Sequence, residues 1–247
     1  ELNLTNVSSV GANAFENTAF TSVILNNATS LAENALSGVT GLVNVMVTYT
    51  EAENTAVEEA FMRQLPQTMQ NLTLDNGLTA LADADSAVFT GDQFTNLQKV
   101  TFPQNAFKVG NYAFANSVCA NFVNTEYITF IGNHAFEGYT GETFTFGALQ
   151  NLGAKAFYNA TNLTLVEISS NLTVLNESVF EGCENLQTVT VSNVNTIANR
   201  AFYGCTSLKS FNSSEGTLDF RNVTGIVGDS AFDGTVANVN IETILLP

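Results

Sequence analysis

A six-residue pattern of apolar and small residues recurs along the whole chain. Each copy reads apolar-small-x-x-Ala-Phe, and we call its last residue the anchor. Clear copies occupy residues 10–15, 31–36 (with Leu as anchor), 109–114, 131–136, 152–157, 175–180, 197–202 and 227–232, and two degenerate copies end at Phe61 and Phe89. The ten anchors stand 21 to 30 residues apart. A period of this length over so many copies predicts a solenoid and excludes independent α/β domains.

The residue two places after each anchor is nearly always one that adopts positive φ at low cost. It is Gly or Asn after nine of the ten anchors, and only Arg63 departs from this rule. We therefore expect a left-handed residue to close a short helical or 3-10 turn in each coil. Because the anchor itself is Phe in nine of ten coils, we expect its ring to point inward and stack in a column.

An apolar run begins a few residues after each anchor and predicts a strand. Residues 42–47, 163–168 and 186–191 are examples, and each ends in an alternating pattern that buries one face. One strand per coil, always in the same direction, forces a parallel sheet. The sequence thus predicts a single solenoid over residues 1–247, a right-handed leucine-rich-repeat-like stack of about ten coils. Its parallel sheet lies on the concave side with short helical or 3-10 turns opposite, and it contains little regular helix.

The repeat is least regular between residues 50 and 87, where a different pattern appears. Residues 51–65 are rich in helix-forming residues, carry acidic residues in their first turns and are followed by Pro66. This composition predicts an α-helix of three to four turns in place of the usual short turn. An enlarged coil is the simpler interpretation, since long insertions cost little free energy; a functional insert is the alternative.

Charge and hydropathy restrict the classes of partner. Only 12% of the residues are charged, and 7 Lys and Arg oppose 23 Asp and Glu, for a formal net charge of −16. Such a chain repels phosphates and anionic headgroups, so we expect no nucleic-acid partner. No apolar run approaches the ~20 residues of a membrane span, so no membrane insertion is expected. The chain begins as if within a strand, which favours a mature product or an excised region.

The residues that catalysis and metal binding require are not gathered in any known pattern. His134 is the only histidine, and it stands at a variable place of the repeat where a surface residue is expected, so a nucleophilic triad is not indicated. Asp83 and Asp85 lack the Gly and Glu that an EF-hand loop requires, and Asp229 and Asp233 follow the variable surface pattern. We therefore predict a protein that is not an enzyme and that binds no cofactor or metal.

Two of the three cysteines occupy equivalent places. Cys183 and Cys205 both stand three residues after an anchor, in consecutive coils. Stacked strands leave such residues close to disulfide range. The same place holds Val39, Tyr139 and Ala160 in other coils, which favours an inward apolar position with a small buried residue, and free thiols over a bridge.

The combined pattern resembles the BspA-like leucine-rich-repeat family. The resemblance rests on the hexad followed by Gly-Cys-x-x-Leu and a short strand, and residues 180–186 and 202–208 carry it most clearly. It covers the chain except for residues 50–87, and only Pro103 matches the Pro that often follows the strand. The resemblance implies a bacterial secreted or cell-surface protein, with adhesion to host proteins or glycans. The alternative is a structural spacer that projects another domain from the cell surface.

Two surface rows compete as the contact surface of a monomeric chain. The places two before and one after an anchor are three residues apart, so a helical turn brings them together. This "turn strip" comprises Tyr112, His134, Glu137, Lys155, Tyr158, Ser178, Glu181, Arg200 and Tyr203. Its predicted binding residues are Tyr112, His134, Lys155, Tyr158, Arg200 and Tyr203, because Tyr and Arg are enriched among the residues that dominate binding energies. The competing "sheet row" comprises Asn44, Met46, Lys99, Thr101, Leu165, Glu167, Thr188, Thr190, Ser210 and Asn212.

Overall fold

The chain folds into successive coils whose short strands pair in parallel with those of the neighbouring coils. The structure, a computed structural model, describes residues 1–36, 38–49, 56–213, 216–235 and 243–247. Its strands in chain order are β1 (Leu2–Leu4), β2 (Ser9–Val10), β3 (Ser22–Asn26), β4 (Ser30–Leu31), β5 (Asn44–Thr48), β6 (Ala56–Val57), β7 (Asn71–Leu74), β8 (Ala80–Leu81), β9 (Lys99–Thr101), β10 (Phe107–Val109), β11 (Asn121–Val123), β12 (Ile128–Ile131), β13 (Thr143–Phe146), β14 (Asn151–Leu152), β15 (Leu165–Ile168), β16 (Val174–Leu175), β17 (Thr188–Val191), β18 (Thr196–Ile197), β19 (Ser210–Phe211), β20 (Thr217–Asp219) and β21 (Thr243–Leu245). This parallel-strand solenoid of about ten turns confirms the predicted fold class.

The predicted strands form two six-stranded parallel sheets. The first has the order β1-β3-β5-β7-β9-β11 and the second the order β13-β15-β17-β19-β20-β21. Pairing is in register, so that Val166 of β15 lies between Phe144 and Val189 of its neighbours. Within β15, Val166 and Ile168 are buried and Glu167 is exposed, as the alternation predicts.

The structure adds a second strand to most coils. In the regular coils these short strands end at the first residue of the hexad. They form a five-stranded sheet, β14-β12-β10-β8-β6, and two pairs, β2-β4 and β16-β18. Most coils therefore contribute hydrogen bonds to two parallel ladders, and the sequence predicts only the first of them.

The anchors form the predicted column in the core. Phe157 stacks on Phe136 at 5.5 Å between ring centroids and on Phe180 at 5.8 Å, with interplanar angles of 10° and 20°. The stacking continues from Phe180 to Phe202 at 5.5 Å. These rings are fully buried, and like the strands they join each coil to the next.

The helix predicted over residues 51–65 is shorter than expected. Residues 51–55 lie outside the described residues, and the α-helix α1 spans only Glu59–Arg63, around the degenerate anchor Phe61. Ala56 and Val57 instead pair with Ala80 and Leu81 as strands β6 and β8. Tertiary pairing has thus overridden local helix propensity. In the described part of the chain, the only other helix is a 3-10 turn at Thr125–Tyr127.

The left-handed residue after the anchor is confirmed in seven coils. Positive φ occurs at Asn17, Asn116, Gly138, Asn159, Gly182, Gly204 and Gly234. Gly91, which the same rule includes, does not have positive φ, and Arg63 lies in α1. The rule therefore holds where the coil has its regular turn.

Candidate functional site

The turn strip brings its predicted residues into contact within and between coils. The rings of Tyr112 and His134, in consecutive coils, stack with centroids 4.7 Å apart and an interplanar angle of 10°. His134 Nδ1 lies 2.5 Å from Glu137 Oε2, one turn further on. The predicted pairing of places two before and one after an anchor is thus present in this coil.

The same pairing recurs in later coils as a cation above an aromatic ring. Lys155 Nζ lies 5.5 Å from the ring centroid of Tyr158, and the Arg200 guanidinium lies 3.8 Å from that of Tyr203. Both distances are within the range of cation–π attraction. Arg200 also reaches back one coil, where its Nε donates a 3.0 Å hydrogen bond to Glu181 Oε2.

The backbone beneath the strip is left-handed at the place two before each regular anchor. Tyr112, His134, Lys155 and Arg200 have φ between 55° and 58°. The remaining residues with positive φ at this place are Asn13, Asn34, Ser178 and Ser230. The sequence showed only that the place is variable, although the two Asn residues were a signal of its conformation.

Hydrogen bonds between coils hold these turns. The amide N–H of Lys155 donates to Glu177 O at 3.0 Å, and that of Phe157 donates to Val179 O at 2.9 Å. The N–H of Asn159 donates to Glu181 O at 2.8 Å. Alternate residues of each turn thus bond to the next coil, which gives the strip a rigid backbone.

Not every member of the strip faces solvent. Ser178 is 2% exposed and Glu181 is 9% exposed, so the expectation that both places are solvent-facing is wrong for this coil. For Glu181 the reason is Arg200, which covers the carboxylate with two hydrogen bonds. Tyr203 is 37% exposed and is the most open aromatic ring of the strip.

The Glu181–Arg200 pair predicts an acid-dependent loss of stability. Hydrogen bonds from Arg200 hold the pKa of Glu181 below its usual value, against the opposing effect of burial. A lowered pKa in the folded state adds stability above the unfolded-state pKa, and this stability is lost as pH falls through the folded-state pKa. We therefore expect the urea midpoint of the wild type to fall more than that of Glu181→Gln between about pH 6 and pH 3. Glu184→Gln, which alters an exposed carboxylate, is the matched control and should retain the wild-type dependence.

The sheet row is less continuous than the turn strip. Glu167 and Thr190 are exposed neighbours on β15 and β17, and Lys99 is exposed on β9. Ser210, predicted to face outward, is instead 2% exposed, and its hydroxyl donates to Ser213 O. The row is also divided, because β11 and β13 belong to different sheets.

The three cysteines are buried and carry free thiols. The Sγ atoms of Cys183 and Cys205 donate to Phe157 O and Phe180 O at 3.1 and 3.0 Å. Burial raises the pKa of Cys183 to about 12 and that of Cys119 to about 11. These thiols are therefore protonated near neutral pH and act as small apolar core residues.

The acidic residues considered for metal binding belong to the turns. Asp83 Oδ1 accepts a 2.8 Å hydrogen bond from the N–H of Asn111 in the next coil, and the N–H of Asp229 donates to Asn199 Oδ1 at 2.9 Å. Within the residues that the structure describes, no group of three or more His, Cys, Asp and Glu side chains is placed to hold a metal ion. The same residues include no helix long and apolar enough to cross a membrane.

Three solved structures are similar to the chain at low identity. A leucine-rich repeat protein from Eubacterium ventriosum shares 15% identity with a TM-score of 0.48, covering 95% of this chain and 82% of that one. A leucine rich cell surface protein from Faecalibacterium prausnitzii shares 20% identity with a TM-score of 0.44, covering 97% of this chain and 83% of that one. A leucine-rich repeat protein from Bacteroides ovatus shares 17% identity with a TM-score of 0.42, covering 96% of this chain and 82% of that one. No curated protein matches the sequence.

The repeat itself matches a defined family. The model of the BspA type leucine rich repeat region matches in six copies over residues 2–93, 85–209 and 129–244. These matches include the regular hexads and extend across the irregular segment that follows residue 50. The chain therefore belongs to the BspA-type leucine-rich-repeat family.

Proposed function

We propose that the chain is a non-catalytic binding module of a cell-surface protein and that its turn strip contacts a protein or glycan partner. The BspA-type family consists of cell-surface repeat proteins, which supports a binding or structural role outside the cell. The strip residues proposed to make the contact are Tyr112, His134, Lys155, Tyr158, Arg200 and Tyr203.

The observation that carries this proposal is the backbone conformation of the strip. A left-handed residue other than Gly costs roughly 1–2 kcal/mol, and Asn is among the few that tolerate it. Asn13 and Asn34 occupy this place in the first two coils, yet Tyr112, Lys155 and Arg200 occupy it later with the same φ. Large side chains at a strained place indicate that the side chains themselves have a use there.

The strip also has the composition of a contact surface. Tyr and Arg are enriched among residues that dominate binding energies, and Tyr203 with Arg200 above its ring presents both at once. Lys155 and Tyr158 repeat this arrangement at longer range two coils earlier. The rigid backbone beneath them lowers the entropy cost of binding.

One observation favours the structural spacer as a second candidate. Arg200 forms an ion pair with Glu181 of the preceding coil. His134 contacts the Glu137 carboxylate within its own turn. Side-chain contacts of this kind stiffen a stack of coils without any partner. A spacer would therefore use the same residues for cohesion alone.

Arrays of glycans and host-matrix proteins separate the two candidates. We expect the purified chain to bind at least one array component, and replacement of the strip side chains to lower its affinity at least tenfold, or about 1.4 kcal/mol. The variant combines Lys155→Asn, Tyr158→Ala, Arg200→Asn, Tyr203→Ala and Glu181→Gln. Asn suits the left-handed backbone, and Gln avoids a buried carboxylate without its partner.

A sheet variant is the matched control. Lys99→Ala, Leu165→Ala and Glu167→Ala together remove the side chains of the competing row, and all three lie outside the turns. We expect this variant to bind like the wild type, with thermal melting confirming that both variants fold. Unchanged affinity in the strip variant with lost affinity in the sheet variant would assign the contact to the sheet. Binding to no array component would support the spacer.

A further inference from the structure

The parallel ladder of the main sheet is interrupted at one place. Strand β11 pairs only with β9, and β13 pairs only with β15, so the edges of β11 and β13 face each other without a ladder between them. In the following coils the N–H groups of Leu165 and Thr188 donate to Glu142 O and Thr164 O at 3.3 and 3.1 Å. Among the described residues, the equivalent bond from Thr143 N–H to Ala120 O is not formed.

Two side-chain hydroxyls span the interruption. Tyr139 Oη lies 3.0 Å from Ala120 O and 3.1 Å from Thr143 O, and its single proton is donated to one of these two carbonyls at a time. At the other end Thr125 Oγ1 donates a 2.8 Å hydrogen bond to Thr145 O. The Thr143 N–H lies between these two bridges. It does not form the hydrogen bond to the preceding coil that the N–H groups of Leu165 and Thr188 form.

Tyr139 explains why the two coils separate here. It stands three residues after the anchor Phe136, the place that Ala160, Cys183 and Cys205 hold in the next three coils. Its side chain is only 5% exposed, so a phenol fills a position that elsewhere holds a small group. Burial raises the pKa of Tyr139 to about 12, so that the hydroxyl stays a donor at neutral pH.

The separated coils enclose an open cleft of about 290 Å³. Its polar lining is formed by Asn121, Thr125, Glu142, Thr143 and Thr145. Cationic side chains are absent from this lining, and Glu142 adds a negative charge, which disfavours an anionic ligand. The lining is also too polar for an apolar ligand.

The cleft is too narrow for a peptide strand. Insertion of a strand would separate β11 and β13 by about twice the ordinary strand spacing, roughly 9.6 Å. The rings of Phe122 and Phe144, at matching places on the two strands, remain stacked at 5.8 Å. The hydroxyl bridges at both ends hold the same separation. A compact ligand is therefore required.

We propose that this cleft binds one residue of a neutral sugar. A sugar hydroxyl both accepts and donates hydrogen bonds, so one ring meets the Thr143 N–H and hydroxyl, the Asn121 amide and the Glu142 carboxylate. The volume is at the lower end of the range for small-molecule sites, which suits a single ring of a glycan. This assignment goes beyond the turn strip and does not depend on it.

Amide chemical shifts recorded during sugar titrations test the proposal. The probes are D-glucose, D-galactose, D-mannose and the N-acetylated forms of the first two, at millimolar concentrations. We expect at least one of them to shift the amide resonances of Thr143 and Thr145 in a saturable manner. The combined variant Asn121→Ala, Thr143→Val should weaken this binding about tenfold or more, as expected for the loss of two hydrogen bonds.

Thr188→Val is the matched control, because Thr188 lies in the same row as Thr143 but where the ladder is continuous. Binding by this variant should equal that of the wild type. Absence of any saturable shift at Thr143 with all five sugars would overturn the proposal, as would equal binding by the cleft variant. Shifts confined to the turn strip would support the proposed function and overturn the cleft assignment, so the two failures are distinguishable.

Discussion

Replacement of Phe157 by Ala is expected to lower the free energy of unfolding by about 3–5 kcal/mol, the largest effect of any single change considered. Phe157 is fully buried, and its ring stacks on Phe136 and Phe180 in the two neighbouring coils. Its removal therefore creates a cavity that interrupts the column at its centre. Because each coil is stabilised chiefly by its neighbours, we expect weakened cohesion on both sides of the cavity.

Phe15→Ala is the matched control for this change, measured like Phe157→Ala by urea unfolding. Phe15 is an anchor of the first coil, is only partly buried and has an edge-to-face contact with Phe20. Phe15→Ala should therefore lower the free energy of unfolding clearly less than Phe157→Ala does. If the two variants lose equal free energy of unfolding, the result would contradict a stacked column in which the central anchors contribute most to stability.

Gly153→Ala is expected to lower the free energy of unfolding by about 1–3 kcal/mol, although it adds a single methyl group. A Cβ at Gly153 would lie 2.4 Å from the carbonyl carbon of Gly132 in the preceding coil, and a Cβ at Gly132 would lie 2.5 Å from Asn111 N. Backbone groups, unlike the ends of flexible side chains, cannot move aside at low cost. The close approach of consecutive coils therefore excludes a side chain here.

Gly11 provides the comparison for Gly153, since it occupies the same place of the hexad in the first coil. A Cβ at Gly11 would have no atom within 4 Å. Gly11→Ala should therefore leave the thermal melting temperature unchanged or raise it slightly, because Ala restricts the unfolded chain. If Gly153→Ala left the free energy of unfolding unchanged, the coils would not approach each other as closely as the structure indicates.

The sequence was most informative where one physical requirement repeats. The anchors were predictable because a core column demands the same bulky ring in each coil, and Phe136, Phe157 and Phe180 meet that demand in turn. The left-handed turn was predictable because Gly and Asn adopt positive φ at little cost. Both requirements recur with the period of the chain.

Features that depend on a single coil were not predictable in this way. The short helix Glu59–Arg63 is preceded by a strand because Ala56 and Val57 find partners in β8, which their helix propensity does not reveal. The second left-handed place is concealed by the long side chains of Lys155 and Arg200. The cleft lies beside Tyr139, a bulky residue at a place where the repeat predicts a small, inward apolar side chain.

The candidate site was predictable in outline but not in chemistry. The three-residue spacing correctly placed Lys155 beside Tyr158 and Arg200 beside Tyr203. The ion pair from Arg200 to Glu181 joins residues 19 positions apart. Such a contact follows from how two coils align and has no signature within either one.

Hydrogen–deuterium exchange of the chain with and without its strongest array partner tests the central claim most directly. If the turn strip is the contact surface, the partner should slow exchange in peptides that span residues 112–116, 134–138, 155–159 and 200–204. Strands β15 and β17 should exchange as in the free chain. Slower exchange in the main sheet, with the turns unchanged, would contradict the account and assign the contact to the opposite row.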